Sequence, residues 1–186
     1  MHVPHRRKFD KPVTIIQPGE YHVSDRDEMI GTLLGSCVAV CLHDPVRRVS
    51  GMNHFMLPGR IVKNDVFSAG SARYGISAIT ELLGMMEKRG AARRDMVAKI
   101  FGGGHVIYTA LDSSTIPMDN VRLARTLLEI EDIPIVEMEV GGDSARKILM
   151  DVKSGKVFMK YVPRSAGTAQ DGGFESAGGP GDRIGA

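Results

Sequence analysis

The chain has no tryptophan, only two cysteines among 186 residues, and aromatic residues make up just 5% of it. It also lacks a strong charge of either sign: 24 Lys and Arg against 22 Asp and Glu leave a formal net charge of +2. No apolar run approaches the roughly 20 residues that a membrane-spanning helix needs. Each shortage excludes something. Two cysteines cannot build the disulfide framework of a small secreted domain, and without an export signal the expected home is the cytoplasm, with both thiols reduced. The small net charge gives no electrostatic basis for a nucleic-acid or anionic-membrane partner. The opening "MHVPHRRKFDKPV" is basic, but no apolar stretch follows it, so it reads as a solvated leader.

What is present is an ordinary globular composition, 42% hydrophobic and 25% charged, in a length that suits one domain with a sizeable core. Patterning divides the chain into a polar leader at 1–12, a patterned domain at 13–163 and a tail at 164–186. The tail, rich in Gly, Ser and Ala, has too little apolar surface to offset its ordering entropy, and disorder is expected there. Within the domain, "SCVAVCLHD" and "VSGMNHFML" read as buried strands. "SARYGISAITELLGMMEKRG" reads as a helix capped by Ser71 and ended by Gly90. "MVAKIFGGG" is a strand entering a glycine turn, and "DNVRLARTLLEIED" a second helix capped by Asp119 or Asn120. "IPIVEMEVGGD" is another strand, and "RKILMDVKSGKVFMKYV" a hairpin turning near Ser154-Gly155. Strands outnumber helices. The expected fold class is a single-domain α/β sandwich with a mixed, largely antiparallel sheet and two main helices, not a doubly wound parallel fold.

The chemistry concentrates between Gly35 and Gly59, which hold both cysteines, Cys37 and Cys41, and the histidines His43 and His54. "DPVR" at Asp44–Arg47 carries a type I turn signature. A turn centred between Pro45 and Val46 would set Cys41 opposite Ser50, Ala39 opposite Met52 and Cys37 opposite His54, with Cβ atoms roughly 4.5–5.5 Å apart. A Cys37–Cys41 disulfide is poor, because four strand residues span about 13 Å while bridged Cα atoms lie within about 7 Å. A metal site from Cys37, Cys41, His43 and His54 has suitable atoms but not the usual short ligand spacing. Both thiols also fit as small core hydrophobes, the reading that suits Cys41 at mid-strand. Cys37 follows Gly35-Ser36 at a strand entrance, where a thiol can face a cleft. A thiolate–imidazolium pair there would pull the thiol below about 8.5 and lift the imidazole above about 6.5. Of the weaker signals, "FGGGH" lacks the ending of a phosphate loop and reads as a tight turn. Asp143 reads as a loop cap, with positioning of His54 as the sharper alternative.

"TLLGSCVAVCLHDP", "GMNHFMLP", "KIFGGG" and "IPIVEMEVGG", followed by Arg146 and "SGKVFMKY", together resemble the CheD family, the chemoreceptor glutamine deamidases of bacterial chemotaxis. The resemblance runs from about Val13 to Val162. It implies that 13–163 is a catalytic domain, with Cys37 as nucleophile, His54 as general base and Thr32 as the residue that orients the histidine. Where this family often ends its glycine turn in alanine, the chain has "GGG" followed by His105. The implied reaction needs an oxyanion site, for which the Cys37 backbone N–H with Ser36 nearby is the natural choice, and no metal or organic cofactor. The implied substrates are glutamines on the cytoplasmic helical bundle of chemoreceptors, with a CheC-type phosphatase as a partner in some systems, and neither nucleic acid nor membrane insertion. The rival readings are a receptor- or phosphatase-binding module with minor hydrolytic activity, and a thiol hydrolase acting on a small amide or ester.

Overall fold

The computed structural model describes residues 10–56, 75–106, 115–163 and the backbone of 183–184. Two five-stranded mixed sheets stack face to face, and two helices cover the outer face of one of them. The first sheet runs β1 (Val13–Ile15), β3 (Met29–Leu34), β8 (Ala145–Asp151), β9 (Val157–Val162) and β10 (Arg183–Ile184). The second runs β2 (Tyr21–Ser24), β5 (Val49–Asn53), β4 (Val38–Asp44), β6 (Val97–Gly102) and β7 (Ile135–Val140). Only β1–β3 and β6–β7 pair in parallel. The expected class, an α/β sandwich with largely antiparallel pairing, holds, with its strands divided between two sheets.

β4 explains why the layers stack this way. All seven of its residues are buried, because it is central in its sheet and covered on both faces. Val38, Val40 and Leu42 join the core beneath the helices. Ala39 and Cys41 join the core between the sheets, with Met52, Phe101 and Ile148. A strand covered on both sides reads as a continuous apolar run, which is what "VAVCL" is.

The helices are α1 (Gly75–Lys88) and α2 (Ile116–Ile130). α1 turns Ala78, Ile79, Leu82, Leu83 and Met86 inward at helical spacing. Gly90, at φ 94°, ends the helix in the left-handed conformation glycine favours. The proposed cap Ser71 lies outside the described residues, as do Leu57 and Pro58, most of the leader and most of the tail. α2 starts earlier than its pattern suggested. Pro117 stands in its first turn, where a missing N–H costs nothing. Asp119 therefore lies inside the first turn, and Asn120 is buried with its Nδ2 donating to Met56 O at 3.0 Å. Neither residue is the cap.

The β4–β5 hairpin corrects the expected register. Cys41 pairs with Met52, not Ser50, and Val38 bridges Phe55. Asp44 is the cause. Its buried carboxylate accepts the amides of Val46 and Arg47 at 2.9 Å each and that of Ala92 at 2.9 Å. Arg48 takes φ 57° and returns its N–H to Asp44 O at 2.8 Å. The loop therefore holds four residues, Pro45 to Arg48, instead of two. His54 lies level with Ala39, one pleat from the expected position. Because the slip is an even step, His54 and Cys37 keep the same sheet face but become diagonal neighbours.

Candidate active site

The site forms where three segments meet at one end of the sandwich. Thr32 comes from β3 in the first sheet, on the face that buries Ile30 and Leu34 between the sheets. His54 follows β5 in the second sheet. Its backbone is held on the side away from β4: His54 N donates to Glu20 O at 2.9 Å, and Gly19 N donates to His54 O at 2.7 Å. Asn53 is turned inward, and its Oδ1 accepts the Val40 amide at 2.9 Å, so β4 stays bonded where the backbone ladder is interrupted. Cys37 sits in the bend between β3 and β4, packed against the inter-sheet core.

Thr32 Oγ1 lies 2.9 Å from Ile16 O and 2.8 Å from His54 Nδ1. A hydroxyl has one proton, and a carbonyl can only accept. Thr32 therefore donates to Ile16 O and accepts from His54 Nδ1–H. This fixes the tautomer: Nδ1 carries the proton, and Nε2 presents a lone pair. His54 Nε2 is buried without a hydrogen-bond partner. Buried orphan acceptors are uncommon and costly, and this one belongs to the residue for which the family resemblance implies a base. Burial pushes the His54 pKa down to about 4, against a smaller upward pull from Glu20. That direction favours the neutral imidazole across the physiological range.

Cys37 is half-buried and free, whereas Cys41 is fully buried. Burial raises the Cys37 thiol above its ordinary value; hydrogen bonds from the Ser36 side chain and from its own backbone amide pull weakly the other way. Burial raises Cys41 much further. These directions run opposite to those expected of a thiolate–imidazolium pair. No hydrogen bond joins Cys37 to His54, since Nε2 has no partner, and burial dominates both groups. Both directions favour an uncharged thiol and an uncharged imidazole at rest.

The glycine turn after β6 holds the cysteine bend, a role its sequence did not disclose. Gly103 N donates to Cys37 O at 2.8 Å, and Gly104 N donates to Gly35 O at 2.8 Å. Gly102 has φ 110°, and a Cβ there would stand 2.1 Å from Cys37 O. Only glycine permits that approach. Gly102→Ala should lower stability by roughly 2–4 kcal/mol, read as a fall in melting temperature; an unchanged melting temperature would refute the close approach.

The other sequence candidates fall elsewhere. His43 Nδ1 is 2.8 Å from Ser50 Oγ, which donates to Val152 O at 2.7 Å; this ties β5 to the first sheet. His105 is exposed. Asp143 accepts from the Ser144 hydroxyl in its own loop at 3.0 Å. Among the described residues no three His, Cys, Asp or Glu side chains gather as metal ligands.

The arrangement is compatible with acyl transfer, which needs a thiol at an accessible strand entrance, an imidazole with a fixed tautomer and an amide near the sulfur. The family described as CheD chemotactic sensory transduction matches residues 56–161. A protein of Laribacter hongkongensis named probable chemoreceptor glutamine deamidase CheD is 41% identical over 83% of this chain and 74% of its own length. Proteins of the same name from Anaeromyxobacter dehalogenans (its CheD 1) and Sulfurimonas denitrificans are each 40% identical; they cover 79% and 81% of this chain, and 83% and 94% of their own lengths. Among solved structures, Bacillus licheniformis YfiH is only loosely similar, with a TM-score of 0.43 and 19% identity over 67% of this chain and 50% of that one. The family match and the identity to these relatives together make the chain a member of the CheD family.

Proposed function

We propose that this protein hydrolyses the side-chain amides of specific chemoreceptor glutamines to glutamate, releasing ammonia, with Cys37 as nucleophile. The observation that carries this reading is the Thr32–His54 hydrogen bond, which leaves a buried, unpartnered Nε2 on the same sheet face as Cys37. The names of the relatives supply the amide and its carrier.

The reaction is a general-base addition. When the substrate amide enters, His54 Nε2 takes the thiol proton as Cys37 Sγ bonds to the amide carbon. The carbonyl oxygen becomes an oxyanion, which the Cys37 N–H and the Ser36 hydroxyl stabilise. The tetrahedral adduct collapses, the C–N bond breaks, and the His54 imidazolium protonates the departing nitrogen as ammonia. Water, deprotonated by His54, then adds to the thioester. Collapse returns the sulfur its proton and leaves a glutamate carboxyl. Through both halves Thr32 holds Nδ1–H, so Nε2 alone shuttles the proton.

Mass spectrometry of receptor cytoplasmic fragments, incubated with and without the protein, tests this. Conversion of particular glutamines to glutamate supports it. Fragments that bind but stay unconverted would favour the docking-module reading. Thr32→Val keeps the side-chain shape but removes the acceptor for Nδ1–H; kcat should fall about 10- to 100-fold with KM little changed, and unchanged kcat would remove Thr32 from the site. Among the described residues no helix is long and apolar enough to cross a membrane. The proposed place of work is the cytoplasm, where the substrate's helical bundle lies. The resemblance adds a CheC-type phosphatase as a binding partner, to be tested by co-purification. The division into leader, catalytic domain at 13–163 and tail stands as a further proposal. Cutting after Arg164 would remove β10 and should leave turnover intact, while a large loss of melting temperature would show the tail docked on the core.

A further inference from the structure

Arg146 is the largest fully buried side chain, 1% exposed. It lies on β8, paired with Leu34 of β3. No carboxylate among the described residues forms an ion pair with it. Its guanidinium instead donates to backbone carbonyls: Nη1 to Glu139 O, Nη2 to Gly141 O and, at 3.5 Å, to Ser144 O. The plane lies 5.5 Å from the Tyr161 ring centroid, and Nε is buried without a partner. A buried guanidinium bonded only to carbonyls, with the Glu139 carboxylate attracting it from outside pairing distance and an orphan N–H, is expensive to keep for stability, since an apolar side chain of similar volume often does as well or better.

What the fork holds is the 139–144 loop, and that loop holds the glycine turn. Gly141 N donates to Gly102 O at 2.9 Å, and His105 N donates to Gly142 O at 2.8 Å. Gly141 and Gly142 take φ 76° and 73°, a double left-handed bend that the guanidinium's carbonyl contacts bridge. The turn in turn grips the nucleophile bend, through Gly103 N to Cys37 O and Gly104 N to Gly35 O. Arg146 also reaches the turn directly. A Cβ on Gly104 would stand 3.3 Å from Arg146 Nη2, 3.2 Å from Ser144 O and 3.3 Å from Gly35 O. All three layers of the clamp meet at that point.

We infer that Arg146 is a positioning residue for Cys37: its planar fork fixes the 139–144 loop, which locks Gly102–His105, which sets the Cys37 backbone against the base. The inference rests on Cys37 being the nucleophile. Lysine keeps the charge but not the fork, so it cannot hold two diverging carbonyls in the same geometry. A small misplacement of a reacting atom can cost on the order of 100-fold.

The test uses Arg146→Lys and Gly104→Ala in the full chain. Turnover on receptor fragments is measured alongside thermal melting and the reactivity of Cys41, which stays protected only while the inter-sheet core is intact. The clamp predicts that kcat falls at least tenfold, with KM within twofold, in variants whose Cys41 remains protected. Wild-type turnover in either folded variant overturns it, as does a loss that tracks Cys41 exposure in both. A wild-type protein that converts no glutamine would sink the amidase reading instead. The clamp is then read from Cys37 alkylation against pH: a shifted midpoint in folded Arg146→Lys supports it, and coincident curves overturn it.

Discussion

Cys37→Ala should yield a folded protein that converts no receptor glutamine, a loss on the order of 1000-fold or more, while Cys41→Ala should keep turnover near wild type. The two thiols lie four residues apart and differ in what surrounds them. Cys41 is 1% exposed, inside the core with Ala39, Met52 and Phe101, and burial holds its thiol protonated. Truncating it removes one packed sulfur, for a cost of about 1–2 kcal/mol. Cys37 lies outside the strand, in a bend whose Cys37 and Gly35 carbonyls are taken by Gly103 and Gly104. Its half-buried side chain only borders the inter-sheet core, and alanine keeps the Cβ, so the melting temperature of Cys37→Ala should stay within a few degrees of wild type. A Cys37→Ala protein with appreciable turnover would remove the nucleophile. An inactive but folded Cys41→Ala would show that the core sulfur matters to the chemistry in a way its burial does not suggest.

The strands that frame the site were legible in unequal degree. β4 announces itself as an apolar run because both its faces are covered, and β6 does so apart from Lys99, which pairs with Glu137. β3 does not: "MIGTLL" contains Gly31, shows no alternation, and places the polar Thr32 at a buried position. That position makes sense only once Ile16 O and His54 are seen beside it. The hairpin shows a different failure. "DPVR" does turn the chain, but a buried carboxylate that collects three backbone amides stretches the turn, and nothing in "DPVRR" shows that Arg48 adopts a positive φ. The face shared by Cys37 and His54 survived because the slip was an even step. Arg146 appeared in the sequence only as part of a resemblance. An arginine flanked by "SA" and "KILMD" carries no sign that it is the largest of the fully buried side chains. The role of Gly102 likewise depends on a carbonyl 65 positions earlier in the chain.

Replacing His54 by alanine should lower kcat on the order of 100- to 10,000-fold, yet leave the pH curve for Cys37 alkylation almost unmoved. An ion pair would produce the opposite pattern, with the thiol lowered by its partner and released when the imidazole goes. Here burial is the first cause at both groups, raising the thiol and lowering the imidazole to about 4, and neither group is among the causes of the other's shift. Iodoacetamide should therefore modify Cys37 slowly at neutral pH and faster as pH climbs past the ordinary thiol range. The acid limb of kcat should lie near pH 4, because the working form of His54 is the neutral one. Stability bears on the same window. In the unfolded chain His54 gains a proton below about 6.5, whereas in the folded chain it waits until about 4. Between these values the unfolded state binds more protons, so stability falls as pH drops, by up to about 3 kcal/mol. Near-UV circular dichroism recorded alongside kcat separates lost proton transfer from lost fold. Alkylation that stays fast at pH 6 in the wild type and slows in His54→Ala would restore the ion pair and refute the general-base mechanism. Coincident curves with collapsed turnover would place the proton transfer after substrate entry, where Thr32 has the Nε2 lone pair waiting.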